Sequence, residues 1–323
     1  MPSNERVMKM RPDARTQRTG GPAGLKAKVA PPPRPRKRRR FEMAPYGFIL
    51  PCVLFCLVLL LYPVVYSLSL SFRQATVETF VSGNMPFNGL TQYQAAVTDP
   101  VFWRAVINTV LFAFFSILFQ FTIGFLLALL FQVNFPLKNL CLALLLIPWL
   151  SPVLTAANIF KGLFNEIGPI NQILHLIGLG PFPWLAEPAY AFPAVIVANI
   201  WIGFPFNFIL LYAGMRNIPG EVYEAARIDG AHYWQRVAKI TVPMLKPVSV
   251  AVLMLGTIYT VKVFDLVWIM TGGGPANATH LLSTYAYQVG FSLLNFGEAA
   301  AIATLMVLLV LLLNLLQLLL RRS

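Results

Sequence analysis

The sequence predicts an all-α membrane protein with six transmembrane helices. Three observations lead there. Of the 323 residues 57% are hydrophobic and only 11% charged, six apolar stretches each run to about twenty residues, and the basic residues crowd onto one alternate set of connecting segments. A soluble domain of this length carries about 25% charged residues. In lipid, only a helix or a closed barrel satisfies its own backbone groups.

Residues 1–46 hold thirteen of the twenty-five Lys and Arg, including the unbroken basic run from Arg36 to Arg40. A segment so charged and so poor in apolar surface cannot bury a core and is expected to be disordered. Such a run can bind nucleic acid. Its place directly before an apolar span fits a positive-inside anchor in reach of anionic membrane lipid instead, so nucleic acid is set aside. The apolar run behind it is too long for a secretory signal, and no small-residue cleavage site closes it.

The remaining chain, 47–323, reads as one transmembrane domain with spans at about 47–71, 105–132, 139–160, 192–213, 249–270 and 299–320. Pro51, Pro63, Pro148, Pro152 and Pro205 fall inside these spans and predict kinks rather than breaks, because neighbouring helices can satisfy the carbonyls that proline frees. Cys52, Cys56 and Cys141 all lie in apolar runs, as small buried hydrophobes do, and suggest neither a disulfide framework nor a thiol metal site.

Orientation follows from charge. With the N-terminus inside, segments 1–46, 133–138, 214–248 and 321–323 are cytoplasmic and carry twenty-one of the twenty-five basic residues, leaving Arg73, Arg104, Lys161 and Lys262 elsewhere. Inner loops collect such an excess. Both termini and the loop 214–248 are therefore expected in the cytoplasm, and the loops 72–103, 161–190 and 271–298 outside.

The polar, charge-dense interval 221–247 stands out against this background. Pro219 and Gly220 open a helix that carries Val222, Ala225, Ala226 and Asp229 at i, i+3, i+4 and i+7. Gly230 is placed to close it in the left-handed conformation, and a second short run from His232 to Lys239 is expected to stop at Pro243 and Pro247. The product is two stubby helices around a tight corner. Ala225 and Ala226 let a partner approach the backbone, with Glu224 projecting a charge beside them, which suits a knob for a groove on another protein. The same composition also suits an amphipathic helix lying on the membrane.

Glu224, Ala225 and Ala226, then Gly230, then Ile240, Val242 and Pro243 resemble the EAA-x3-G-x9-I-x-L-P signature of integral membrane permeases of binding-protein-dependent ATP-binding cassette (ABC) importers. Val242 stands where the family usually has Leu, an exchange of apolar for apolar. From about Phe41 to Leu320 the chain resembles the carbohydrate-uptake branch, the maltose-type and glycerol-phosphate-type permeases. NIWIGFPF at 199–206, KVFDLVWIMTGGGPANAT at 262–279 and FGEAAAIATLM at 296–306 carry that likeness.

The resemblance implies the type I ABC importer permease fold, with a cytoplasmic coupling helix between spans four and five. It implies a permease subunit that moves a sugar or sugar derivative across the cytoplasmic membrane. The implied partners are an extracytoplasmic solute-binding protein, a second homologous permease subunit and two ATP-binding cassette ATPase subunits. Those ATPases would use ATP and Mg, and this chain would hold no cofactor. Glu224, Ala225, Ala226, Asp229 and Gly230 would form the ATPase-coupling site, with Glu224 paired to a basic residue in the ATPase cleft. By similarity to the maltose-type permeases, Asn199, Gly203, Phe206, Tyr259 and Thr260 fall at substrate-binding positions near the bilayer midplane. Aromatic faces there can stack on a sugar ring, amide and hydroxyl groups can bond its hydroxyls, and glycine lets the ring come close.

Trp201 and Phe204 lie at helical spacing among these positions and read equally well as packing. Lys262 and Asp265 are three apart in span five. They can neutralise each other on one helix face or serve as a gate.

Enzyme chemistry finds no footing. His175, His232 and His280 are scattered and no carboxylates pair inside a span, so neither a zinc set nor a nucleophile with its base can be assembled. Gly272 to Pro275 lacks the Lys-Ser/Thr of a phosphate loop and reads as a turn, and no Walker A run is present. A transport subunit without its own ATPase site is the resulting expectation. The alternative is an ion-gradient-driven secondary carrier of a small polar solute, which characteristically shows inverted repeats and a midplane acidic site.

Overall fold

The computed structural model describes residues 44–322, with side chains from 47 to 319, and every regular element among them is a helix. The expected disorder of the basic tail concerns residues outside that range, apart from its last three. The chain divides into two compact units, residues 1–54 and 55–323. Of the first, the described part is the beginning of α1 (Ala44–Cys56), whose side chains from Gly47 to Leu54 are all exposed.

The second unit is a helical bundle whose axis is the pairing of α5 (Pro100–Leu130) with α9 (Pro188–Arg216). Asp99 starts α5 by accepting a 2.7 Å hydrogen bond from the Val101 amide, with Pro100 in the first helical position. The buried residues of α5 include Phe102, Ala105, Thr109, Phe112, Ser116, Gln120, Gly124 and Ala128, a stripe at three- and four-residue steps. Small residues on such a stripe let helices approach closely, which is what drives association in lipid. Gly124 is one such point of close approach. A Cβ there would lie 2.8 Å from the backbone nitrogen of Phe208 on α9.

Among the described residues, five helices are long and apolar enough to cross a membrane, and a bent pair would make a sixth crossing. The pair is α6 (Lys138–Leu150) and α7 (Val153–Leu163), which meet at 95°. Here Pro152 produces a break instead of the expected kink. Ser151 before it is driven to the extended conformation, with φ −73° and ψ 136°, as a residue preceding proline is.

Two other prolines behave differently. Before α2 (Tyr62–Leu70) the chain makes a π turn at Leu57–Leu61, and before α12 (Val242–Val261) it makes another at Val237–Thr241. Pro63 and Pro243 each follow two residues after the turn ends. A proline ring collides with the carbonyl four residues back in a regular helix, and the wider turn makes room for it. Hence Pro243 and Pro247 do not stop the second short helix as expected. The helix α11 (Tyr233–Arg236) runs on through the π turn into α12 as one 29-residue span, Tyr233–Val261.

The stretch read as span five is divided. α12 ends at Val261 and α13 (Asp265–Thr271) begins after three residues, because Phe264, at φ −126° and ψ −62°, leaves the helix. The carbonyl of Val263 freed there accepts a hydrogen bond from the Ser283 hydroxyl. α13 then closes at Gly272 with φ 61°, a turn as the sequence suggested. Cys52 and Cys56 are exposed and not buried, since residues 47–61 present apolar side chains on every side, the surface that a bilayer covers.

The opposite end of the bundle from the 214–248 loop is tied together by the start of α5. Arg104 and Asn108 donate to the carbonyls of Ala276, Ala278 and His280, and Thr109 accepts from the amide of Leu282 at the head of α14 (Leu282–Tyr287). The Tyr285 hydroxyl donates to the Asp99 carboxylate. The last helix, α15 (Phe296–Arg322), packs against α12 and α14.

Candidate functional site: a central cavity and a helical hairpin

A cavity of about 410 Å³ opens among α5, the α6–α7 corner, α9, α12 and the break before α13. Asn199, Gly203 and Phe206 reach it from α9, and Tyr259 and Thr260 from α12. The structure thus brings all five residues singled out in the two spans to one place. Phe206 and Tyr259 meet edge to face, with ring centres 5.6 Å apart, and Trp149 of α6 approaches Phe206 at 6.2 Å. Three aromatic rings from three helices therefore share the wall.

Gln120 crosses from α5 and donates a 2.9 Å hydrogen bond to the carbonyl of Asn199. Its side chain lies flat against Gly203, where a Cβ would come within 2.3 Å of the Gln120 amide nitrogen. Asn207 donates to the Gly203 carbonyl at 3.0 Å. By contrast, the side-chain nitrogen of Asn199 is buried and finds no hydrogen-bond partner among the described residues. Buried donors are costly when left unpaired.

Sequence reasoning did not find Gln120, Trp149 or Asn207, which line the same cavity. Gln120 and Asn207 were visible as polar residues inside apolar spans, a signal of function or of packing between helices. Trp201 and Phe204 stay outside the cavity: Trp201 packs on Phe160 at 5.4 Å in an apolar cluster, and Phe204 borders a different groove.

Lys262 and Asp265 are not on one helix face, because the break between α12 and α13 separates them. Both are exposed and both line the cavity, with the Lys262 ammonium 4.7 Å from the centre of the Tyr259 ring. That distance is a cation–π contact.

The second candidate site is the hairpin after α9. α10 (Gly220–Ile228) closes through Asp229 and Gly230, the latter at φ +79°. The amide of Ala231 bonds the carbonyl of Ala226 at 2.9 Å, and that of Gly230 the carbonyl of Arg227 at 3.0 Å. Those two bonds define a Schellman cap. Glu224, Ala225, Asp229 and Gly230 are exposed and Ala226 is half-buried, so the face expected to meet a partner is open. Ile228 is 87% exposed and Trp234 69%, which leaves large apolar side chains at the corner.

The hairpin is rooted firmly. Val237 is buried in the apolar cluster of Phe131, Phe208, Leu211, Met215 and Leu245. The Tyr223 hydroxyl bonds the hydroxyl of Thr241 at 2.9 Å. Where α9 and α12 cross, Gly214 has no room for a side chain, since a Cβ would meet Leu245 at 2.9 Å.

Residues 120–323 match the model of the family described as binding-protein-dependent transport system inner membrane component. The chain belongs to this family. It is accordingly a multi-pass inner-membrane permease, and the gradient-driven carrier falls away. The permease is 36% identical over 261 residues to the trehalose/maltose transport system permease protein MalF of Thermococcus litoralis, covering 80% of this chain and 87% of that one. It is 30% identical over 300 residues to the diacetylchitobiose uptake system permease protein DasB of Streptomyces coelicolor, covering 91% and 89%. Among solved structures, a bacterial ABC transporter involved in import of the acidic polysaccharide alginate contains a chain matching with a TM-score of 0.76 at 24% identity. The match covers 86% of the permease and 95% of that chain, and it shows the type I importer permease fold.

Proposed function

We propose that the permease carries a sugar or small oligosaccharide inward, and that the 410 Å³ cavity is where the sugar pauses. The convergence of Asn199, Gly203, Phe206, Tyr259 and Thr260 on one cavity carries this reading. The rings of Trp149, Phe206 and Tyr259 offer stacking faces, and the Thr260 hydroxyl and the Lys262 and Asp265 side chains supply polar groups on the same lining. The volume sits at the lower end of the roughly 300 to 1,000 Å³ of ligand pockets. The relatives named for trehalose/maltose and diacetylchitobiose support the substrate class.

In this reading the hairpin is the coupling element. Glu224, Ala225, Ala226, Asp229 and Gly230 dock into a cleft of a separate ATPase subunit, which supplies ATP and Mg chemistry that this chain does not perform. A second permease chain completes the pathway, and an extracytoplasmic binding protein delivers the sugar. The permease domain covers 47–323, the loop 214–248 faces the cytoplasm, and both termini lie on that side.

The test is uptake in proteoliposomes holding the full assembly, with binding protein and labelled maltose, trehalose or chitobiose inside a panel of sugars. Uptake is expected to require ATP on the hairpin side, and Phe206→Ala or Tyr259→Ala is expected to raise the half-saturating sugar concentration. Sugar uptake untouched by either substitution would remove the cavity from the pathway.

A further inference from the structure

A second cavity, of about 630 Å³, lies between α5, α6 and α9 and shares no residue with the first. Its wall is built from Leu130, Phe131, Cys141, Leu145, Pro148, Phe204 and similar residues, and the Trp201 indole is the one side chain there with an N–H. From Cys141 to Pro148 the wall covers roughly 10 Å of helix rise. That is most of the roughly 15 Å hydrocarbon depth of one leaflet.

At the end nearer the hairpin, two cations converge on one ring. The Lys138 ammonium lies 5.8 Å from the centre of Tyr212 and the Arg216 guanidinium carbon 5.9 Å from it. Tyr212 in turn meets Phe131 of the groove wall edge to face at 6.4 Å. Lys138 stands three and seven residues ahead of Cys141 and Leu145, so the cation and the groove lining share one face of α6. Neither Lys138 nor Arg216 forms an ion pair with a carboxylate among the described residues. Lys138 donates to the Val133 carbonyl at 3.3 Å.

We propose that this groove is a binding site for an anionic phospholipid, with its phosphate between Lys138 and Arg216 and one acyl chain along the groove. Charge complementarity selects the occupant. A groove with no polar side chain beyond one indole suits a hydrocarbon chain, and two cations gathered at the Tyr212 ring beside it, neither paired with a carboxylate among the described residues, suit a phosphate diester. A neutral lipid satisfies the first feature and not the second, and a free phosphate the second and not the first. The site lies apart from the sugar cavity and does not depend on how that cavity is used.

The experiment is native mass spectrometry of the full chain, purified with its bound subunits and exchanged into equal mixtures of phosphatidylglycerol and phosphatidylcholine. The natural protein is expected to retain phosphatidylglycerol, and K138Q/R216Q together to lower that preference by roughly 10- to 30-fold. K138R/R216K is expected to keep it, which separates lost charge from lost folding. Leu144→Trp, on the groove wall, is expected to reduce retention of both lipids. Equal preference in the natural protein and in K138Q/R216Q would overturn the proposal. So would displacement of the lipid by soluble glycerol phosphate alone, or efficient cross-linking of the Leu144→Cys variant to a second permease chain, which would make the groove a protein interface.

Discussion

The hydroxyl of Tyr223, on the first arm of the hairpin, is hydrogen-bonded at 2.9 Å to the hydroxyl of Thr241, at the foot of the spanning helix α12. Eighteen residues of chain separate the two, and this bond makes the hairpin's first arm part of the same body as α12.

Tyr223→Phe removes that link and leaves the hydroxyl of Thr241, itself 3% exposed, without its partner. An unpaired buried hydroxyl costs about 1 to 3 kcal/mol. The expected result is a transporter that still binds its ATPase but moves less sugar per ATP, measured as the transport-to-hydrolysis ratio in proteoliposomes. An unchanged ratio would mean the bond only decorates the hairpin.

Gly230 separates backbone need from space. A Cβ there meets nothing within 4 Å, so Gly230→Ala is penalised only by the left-handed backbone, roughly 1 to 2 kcal/mol. Gly230→Asn, better suited to that conformation, should recover part of the loss. Gly230→Pro cannot adopt a φ of +79° and loses the amide bonded to Arg227, so it should abolish coupling. Sugar uptake in the three variants should rank Asn, Ala, Pro.

Glu224→Ala tests the proposed docking contact. Truncating one member of a buried interfacial charge pair costs about 2 to 5 kcal/mol. Retention of the ATPase on the purified permease is therefore expected to fall sharply, while the permease alone melts at its usual temperature. Normal retention would deny Glu224 a place in the contact.

Gly203→Ala should act on the cavity through Gln120. The new methyl would sit within 2.7 Å of the Gln120 side-chain amide and push it off the Asn199 carbonyl. Uptake is expected to drop with little change in ATPase binding, and Gly203→Ala combined with Gln120→Ala, which clears the space, should fold better than Gly203→Ala alone in a thermal melt.

The His280 loop should respond to acid. Burial holds this imidazole below its ordinary 6.5, so the unfolded chain takes up the proton first as pH falls. The stabilisation is complete above about 6.5 and declines below that value. Melting temperature is expected to fall between pH 6.5 and 5, and His280→Asn should flatten the decline.

What could be read without coordinates was local. Gly230 closes α10 because glycine takes the positive φ of a helix cap without a steric penalty, while Asn199, Gly203 and Phe206 were marked by the resemblance of 199–206 to the maltose-type permeases. Gln120, Trp149 and Asn207 escaped because their meeting depends on how α5, α6 and α9 pack, which no periodicity encodes. The break after Val261 escaped for another reason. Lys262 to Phe264 contain neither glycine nor proline, and the Val263 carbonyl that the break frees finds its partner in the Ser283 hydroxyl, twenty residues on, which no local pattern announces.

The unbroken run from Tyr233 to Val261 has a mechanical meaning. Its first turns form the far arm of the hairpin, and its last turns carry Tyr259 and Thr260 into the cavity wall. One beam of roughly 40 Å therefore has its two ends in the two candidate sites. Any tilt imposed at the hairpin swings the aromatic and hydroxyl groups at the other end by a comparable arc, with no relay of separate parts between them.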